Sequence, residues 1–210
     1  MKKILFSGCL MLLLAHMVWA QEKIEAPVWN VGDKWVFTQG MNMGVIEADA
    51  NGYVVKLGNQ SVVFDKSTLN RTFVLRGKMR EVYRGSQRKL FDFPFVIGKN
   101  WKDKYATQLK AEDTLVYHRS VVPSLGDETM VFENYKVLGW EEVEVEAGRF
   151  KAIKMEYKRE WDSPQGGMKE GTAWYWYSPE VKNMVKVQHE KNQMWIKEND
   201  WELISFHLTQ

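Results

Sequence analysis

The sequence predicts an all-β protein, a single antiparallel meander that forms a strongly curved sheet or an open β-barrel. Three observations carry that expectation. No window holds a sustained 3.6-residue apolar period; short β-branched and aromatic runs recur along the chain; and turn residues separate them at regular spacing. The 10 Trp, 8 Tyr and 10 Phe in 210 residues add weight, since rings favour strands and anchor cores. Hydrophobic types at 45% and charged types at 27% are the composition of one globular domain, which excludes collagen, long disordered tails and coiled coil.

The chain opens with Met1-Lys2-Lys3, an apolar run from Ile4 to Ala15, and His16-Met17-Val18-Trp19-Ala20, with Val18 and Ala20 as small residues before a cut. That is the anatomy of a signal peptide over residues 1–20, followed by one antiparallel β domain over 21–210 in the periplasm or secreted. The apolar stretch is at the short limit for a membrane span. Phe6-Ser7-Gly8-Cys9 faintly resembles a lipidation signal, but the apolar run continues well past Cys9, where a lipoprotein would already be polar. Cleavage after Ala20 leaves no cysteine and no transmembrane segment. It also removes Lys2 and Lys3, which balances the charges and leaves no basic excess to attract nucleic acid or an anionic membrane. Asn59-Gln60-Ser61 and Asn70-Arg71-Thr72 fit the glycosylation pattern; in a bacterial protein, which the style of the leader suggests, they are chance matches.

Taken in order, residues 45–49 and 53–57 flank Asn51-Gly52, a pair that tolerates positive φ and so signals a tight hairpin. Gly58-Asn59 turns into a strand at 61–65. Further strands are expected at 69–75, 79–83, 101–109, 114–122 and 130–138, broken at Arg76-Gly77-Lys78, at Arg84-Gly85-Ser86 and at 123–126. After the loop Asp162-Ser163-Pro164-Gln165-Gly166-Gly167 comes a strand at 168–177, rich in rings on both parities. Strands at 184–189, 194–197 and 201–208 complete the set.

Around Ala147-Gly148 a two-residue loop would set Glu146 opposite Arg149, Val145 opposite Phe150, Glu144 opposite Lys151 and Val143 opposite Ala152. Charges then meet opposite charges on the wet face and apolar residues meet on the core face. Parity shifts at Ala152-Ile153, where a β-bulge would restore it. Glu142, Glu144 and Glu146 lie about 6.6 Å apart in sequence order on such a face, too far to share an ion, and read as a solvated face.

Val31-Gly32-Asp33-Lys34-Trp35 and Ile97-Gly98-Lys99-Asn100-Trp101 share the form aliphatic, Gly, two polar residues, Trp. Each reads as a glycine at a crowded or positive-φ turn before a ring that anchors the entering strand. Five residues are too few to establish duplicated domains. The run from Glu142 to Lys154, followed by Trp174-Tyr175-Trp176-Tyr177-Ser178-Pro179-Glu180-Val181, resembles the uncharacterised family of exported bacterial β-domain proteins sometimes labelled TapB-like. That family's hairpin reads E-x-V-x-V-P-A-G-x-F, with a later W-Y-x-P turn. Phe93-Pro94-Phe95-Val96-Ile97-Gly98-Lys99-Asn100-Trp101 and the segment at Val31 are similar to its Gly-Trp elements. The resemblance spans 31–189, and Glu146 departs from it where the family has proline. It implies a curved sheet or open barrel in the envelope and brings no agreed activity and no catalytic residues.

Chemistry-bearing motifs are missing from the sequence. His118, His189 and His207 stand at no metal-ligand spacing, and there is no G-x-S-x-G elbow, phosphate-binding glycine loop or cysteine after the leader. A non-enzymatic protein without cofactor is therefore expected, with two binding readings. In the first, a concave face lined by Phe91, Phe93, Phe95, Met155, Tyr157 and Trp174 holds a lipid chain or an apolar peptide segment. In the second, Trp174, Trp176 and Trp161 stack on a glycan. Beside both stands the plain reading, that the rings fill cores.

Overall fold

The computed structural model describes residues 22–50, 52–76, 79–82, 91–107, 129–162, 167–191 and 200–210. They form β1 (Lys34–Phe37), a 3-10 turn (Thr38–Gly40), β2 (Asn42–Asp49), β3 (Gly52–Leu57), β4 (Gln60–Phe64), β5 (Arg71–Arg76) and β6 (Met79–Val82). Then follow β7 (Asn100–Thr107), β8 (Thr129–Val145), β9 (Gly148–Asp162), β10 (Met168–Ser178), β11 (Asn183–His189) and β12 (Trp201–His207). The leader with its cleavage site and the strands expected at 114–122 and 194–197 lie outside the described residues. No described helix is long and apolar enough to cross a membrane.

All twelve strands belong to one antiparallel sheet, in the order β6-β5-β4-β3-β2-β1-β12-β11-β10-β9-β8-β7. Strands adjacent in sequence pair with each other everywhere except between β6 and β7, and β1 pairs with β12. The meander is thus circular and open at one seam, an all-β sheet that curls strongly without closing into a barrel. At its centre Asp33, fully buried, receives the Asn30 N–H (2.9 Å), the Thr209 N–H (2.8 Å) and the Thr209 hydroxyl (2.8 Å). Three donors satisfy a carboxylate that burial would otherwise penalise, and they tie the start of the sheet to its end.

The two Gly-x-x-Trp segments form the same turn. Gly32 (φ 100°) donates its N–H to the Val45 carbonyl (2.9 Å), Asp33 donates to Asn30 (3.0 Å), and the Val45 N–H returns to Asp33 (2.9 Å). Gly98 (φ 84°) donates to Val137 (2.9 Å), Lys99 to Val96 (2.9 Å), and Val137 returns to Lys99 (2.8 Å). The residue after each contacted valine is a bulge, Ile46 on β2 and Leu138 on β8. Each anchoring Trp packs on a ring six residues earlier: Trp35 on Trp29 at 5.2 Å and Trp101 on Phe95 at 6.1 Å between centroids. The echo is therefore a repeated docking device, longer than its five-residue signature.

The β8–β9 hairpin corrects the expected register by two residues, which keeps each side chain on its expected face. Val145 pairs with Gly148, Glu144 with Arg149, Val143 with Phe150 and Glu142 with Lys151, so the loop residues are Glu146 and Ala147. Gly148 at φ 136° opens the returning strand in a conformation that suits glycine, and the Ala147 N–H docks on the Leu203 carbonyl at 3.0 Å. β8 also runs unbroken through the gap expected between 138 and 143. The expected bulge at Ala152-Ile153 is replaced by the one at Leu138 on the partner strand.

The parity shift at Ala152-Ile153 has a different cause. Val143, Val145, Phe150, Ala152 and Trp176 belong to a first core with Trp29, Trp35, Val55 and Val62. Val137, Ile153, Met155, Tyr157 and Tyr177 belong to a second, with Ile24, Phe95 and Trp101. Neighbours along a strand point to opposite faces, so β9 buries one face near the hairpin tip and the other further up, while β10 buries both faces side by side, Trp176 in the first core and Tyr177 in the second. The bulge at Leu138 carries β8 through the same exchange of faces.

Candidate functional site

The residues expected to hold a ligand separate into two groups. Phe95, Met155 and Tyr157 are buried in the second core, and half-buried Phe93 packs against both cores. Phe93 and Phe95 stack at 4.1 Å and meet Tyr177 edge-on, so the segment before β7 lies on that face. Tyr157 turns its hydroxyl to buried Glu133 (2.7 Å), which also receives the Tyr135 hydroxyl (2.8 Å). Trp174 and Trp176 stand on the opposite face of β10, across from Glu156 and Lys154, where Met155 faces Tyr175.

Trp176 is locked in place. Its indole N–H donates to Glu141 (2.8 Å), and Lys154 and Lys186 lie over its ring at 4.9 and 5.8 Å. Burial pushes the Glu141 carboxyl upward in pKa, but the hydrogen bonds from Trp176 and Lys154 outweigh it and hold the group below its ordinary value. Trp161 is buried beneath the Arg159 guanidinium at 5.3 Å. Trp174 alone among these indoles is half-buried, directly across from Gln188 of β11.

That pairing leads to a cleft of about 340 Å³ lined by Thr38, Gln39, Lys186, Val187, Gln188, Asp200, Trp201 and Glu202. β11 and β12 share two register pairs beside it, Lys186 with Glu202 and Val187 with Trp201. The 3-10 turn supplies one wall. Thr38 receives the Glu202 N–H on its hydroxyl (3.0 Å), and Gln39 donates its side-chain amide to the Asp200 carbonyl (2.9 Å). Gln39 holds φ 65°, uncommon for a residue with a Cβ, so the wall is built around a strained residue. Asp200 receives the His189 N–H at 2.7 Å, with the His189 ring nitrogen 3.2 Å away. Trp201 packs edge-on against Phe37 at 4.8 Å and stays half-buried.

Two primary amides, two carboxylates, a hydroxyl and a lysine thus surround one opening, while the Trp201 ring lies on the face of Val187 and packs on Phe37. This set can exchange several hydrogen bonds with a polyhydroxylated ligand. Among the described residues no group of three or more His, Cys, Asp and Glu could hold a metal ion. The cleft was not legible in the sequence: Asn199-Asp200 reads as a turn and Trp201 as the start of a strand, and nothing local brings Thr38 or Gln39 to them.

No protein-family model matches the chain, the TapB-like family included, and no curated protein matches it. Three solved structures are similar. A protein assigned as a lipoprotein in Parabacteroides distasonis has 16% identity and a TM-score of 0.45, over 89% of this chain and 100% of that one. The hypothetical lipoprotein YmcC of Escherichia coli has 8% identity and a TM-score of 0.43, over 89% and 90%. An exported protein with YmcC-like fold, assigned as such in Bacteroides fragilis, has 13% identity and a TM-score of 0.40, over 89% and 100%.

Proposed function

We propose that this protein is an exported, non-enzymatic envelope component that binds a glycan in the cleft between β11 and β12. The observation that carries the reading is the lining of that cleft, where Gln39, Gln188, Asp200 and Glu202 border one opening. Export is the reading of the leader: a basic start, an apolar run, and small residues before a cut after Ala20. An apolar or amphipathic ligand on the curved face, the other expectation, would have to displace Phe93 and Phe95 from rings on which they are already packed. A glycan in the cleft needs no such rearrangement, since the amides and carboxylates already border open space.

The test is a titration followed by tryptophan emission, with soluble envelope glycans in one series and a fluorescent fatty acid in the other. A saturable response to a glycan, weakened at least tenfold by Gln39→Ala and by Gln188→Ala in folded protein, supports the cleft. Saturation by the fatty acid alone, unaffected by either change, returns the ligand to the curved face.

A further inference from the structure

We propose that the cleft continues over Trp174 into a second subsite, and that its ligand is a linear, uncharged oligosaccharide laid across β12, β11 and β10. The inference rests on the glycan reading of the cleft and adds the length and the charge of the ligand. It starts from the face on which Trp174 stands. Met155, Tyr157 and Tyr175 pack in or against the second core, so the residues between them turn the other way. On that other face Lys136, Glu156, Trp174 and Gln188 are successive register partners from β8 to β11 and form one row across the strands. Lys154, Trp176, Lys186 and Glu202 form the next row, which ends in the cleft. Lys136 and Lys158 are exposed, so this part of the face meets water.

Charged and amide side chains are what such a face is expected to carry, and Trp174 is the exception. Trp176 in the next row is accounted for: it is buried in the first core, donates its N–H to Glu141 and lies beneath two lysines. Trp174 packs against that core but keeps part of its ring exposed. Among the described residues no hydrogen bond engages its indole N–H, no cation lies over it and no second ring stacks on it. A half-buried indole with a free N–H, set among polar side chains, can cover the apolar face of a sugar ring and donate to its oxygens.

Gln188 links this ring to the cleft. It lines the opening and stands directly across from Trp174, with about 5 Å between the Cβ atoms of such a pair. From β10 to β12 is a span of about 10 Å at the usual strand spacing, which exceeds one sugar ring and calls for a chain of them. The ligand's charge follows from the pairing of the lysines. Lys154 meets Glu141 at 3.0 Å and Lys158 meets Glu156 at 3.5 Å, while Lys186 stands opposite Glu202. Each cation beside the path already has a carboxylate, so a charged sugar finds no unmatched partner. Hydroxyl and acetamido groups can exchange hydrogen bonds with Gln188 and with the Trp174 N–H.

Calorimetric titration with chitotetraose, cellotetraose and maltotetraose, with their monosaccharides, and with tetragalacturonate tests both parts. The expected result is a neutral tetraose that binds at least tenfold tighter than its monosaccharide. Trp174→Ala should remove that gain and leave the monosaccharide affinity unchanged, with melting temperature retained, and Trp174→Phe, which keeps a ring, should restore most of it. A tetraose and monosaccharide that bind alike would overturn the subsite and leave the cleft reading in place. So would a tetraose affinity that Trp174→Ala does not move although Gln39→Ala abolishes it. Tetragalacturonate as the tightest ligand would overturn the assignment of an uncharged chain. Binding of no saccharide at all would remove the glycan reading, and this inference with it.

Discussion

Asp65 shows how much one side chain can organise. A single carboxylate oxygen receives the Ser67 hydroxyl (2.7 Å), the Ser67 N–H (3.0 Å), the Thr68 N–H (2.9 Å) and the Thr68 hydroxyl (2.9 Å), closing the turn between β4 and β5. Led by the Ser67 hydroxyl, these bonds hold its pKa below the ordinary 3.8 despite partial burial. A carboxyl depressed on folding stabilises the protein above its unfolded pKa, and that contribution is lost as pH falls through the folded value. Asp65→Ala should therefore lower stability by about 1 kcal/mol at neutral pH, the usual cost of losing such a cap. It should also flatten the loss of stability below pH 3.8, which urea unfolding at a series of pH values would measure. On β8 the contrast between adjacent residues is sharper. Val145→Lys puts an unpaired charge into the first core and should cost several kcal/mol. Glu144→Lys loses an exposed ion pair with Arg149 and should cost about 1 kcal/mol or less. Equal shifts in melting temperature for the two variants would contradict the face assignment.

At the scale of the element, the β8–β9 hairpin carries one inserted residue. Before Leu138, odd residues of β8 face odd residues of β9, as Val137 faces Met155; after it, odd residues face even ones, as Val143 faces Phe150. Deleting Leu138 would remove the bulge and leave Val143 opposite Phe150, because Val137 and Gly139 already face consecutive partners, Met155 and Lys154. The deletion should therefore keep a cooperative thermal melt, as should Leu138→Asp, whereas one residue added between Glu141 and Glu142 would turn Glu142 and Glu144 toward the core and should abolish it. The alternation of valines and glutamates was legible in the sequence, and so was the change of parity at Ala152-Ile153. What remained hidden is that a second core lies on the other face and uses the shifted residues.

Across the whole molecule, circular pairing joins the chain's two ends in the middle of the sheet and leaves the opening between β6 and β7. Asn30 donates to the Thr209 carbonyl at 2.9 Å, so the C-terminal end lies beside a residue of the first segment, and a flexible link of about ten residues can reach from Gln210 to Glu22. A permuted chain that begins at Phe91 and ends at Val82 across this link should retain the β spectrum and a cooperative melt, because every strand pair is kept. Loss of cooperativity would show that the connection between β6 and β7 holds the sheet together. Intact mass of the protein from the envelope fraction should show a chain beginning at Gln21; a chain that keeps Met1 would mean that the leader remains attached.

The sequence by itself determined where most strands lie, where the turns fall, and that two Gly-x-x-Trp segments do similar work. These are local matters: two-residue alternation, the φ that glycine tolerates, and the ring that follows a tight turn act within a few residues. Tertiary structure decided the rest. Whether Trp174 and Met155 share a face depends on counting along paired strands through a bulge, and whether Phe95 faces a ligand or a core depends on a segment that reaches it from elsewhere. The cleft joins Gln39 to Asp200 across 161 positions of sequence, and only the pairing of β1 with β12 brings them within a hydrogen bond of each other.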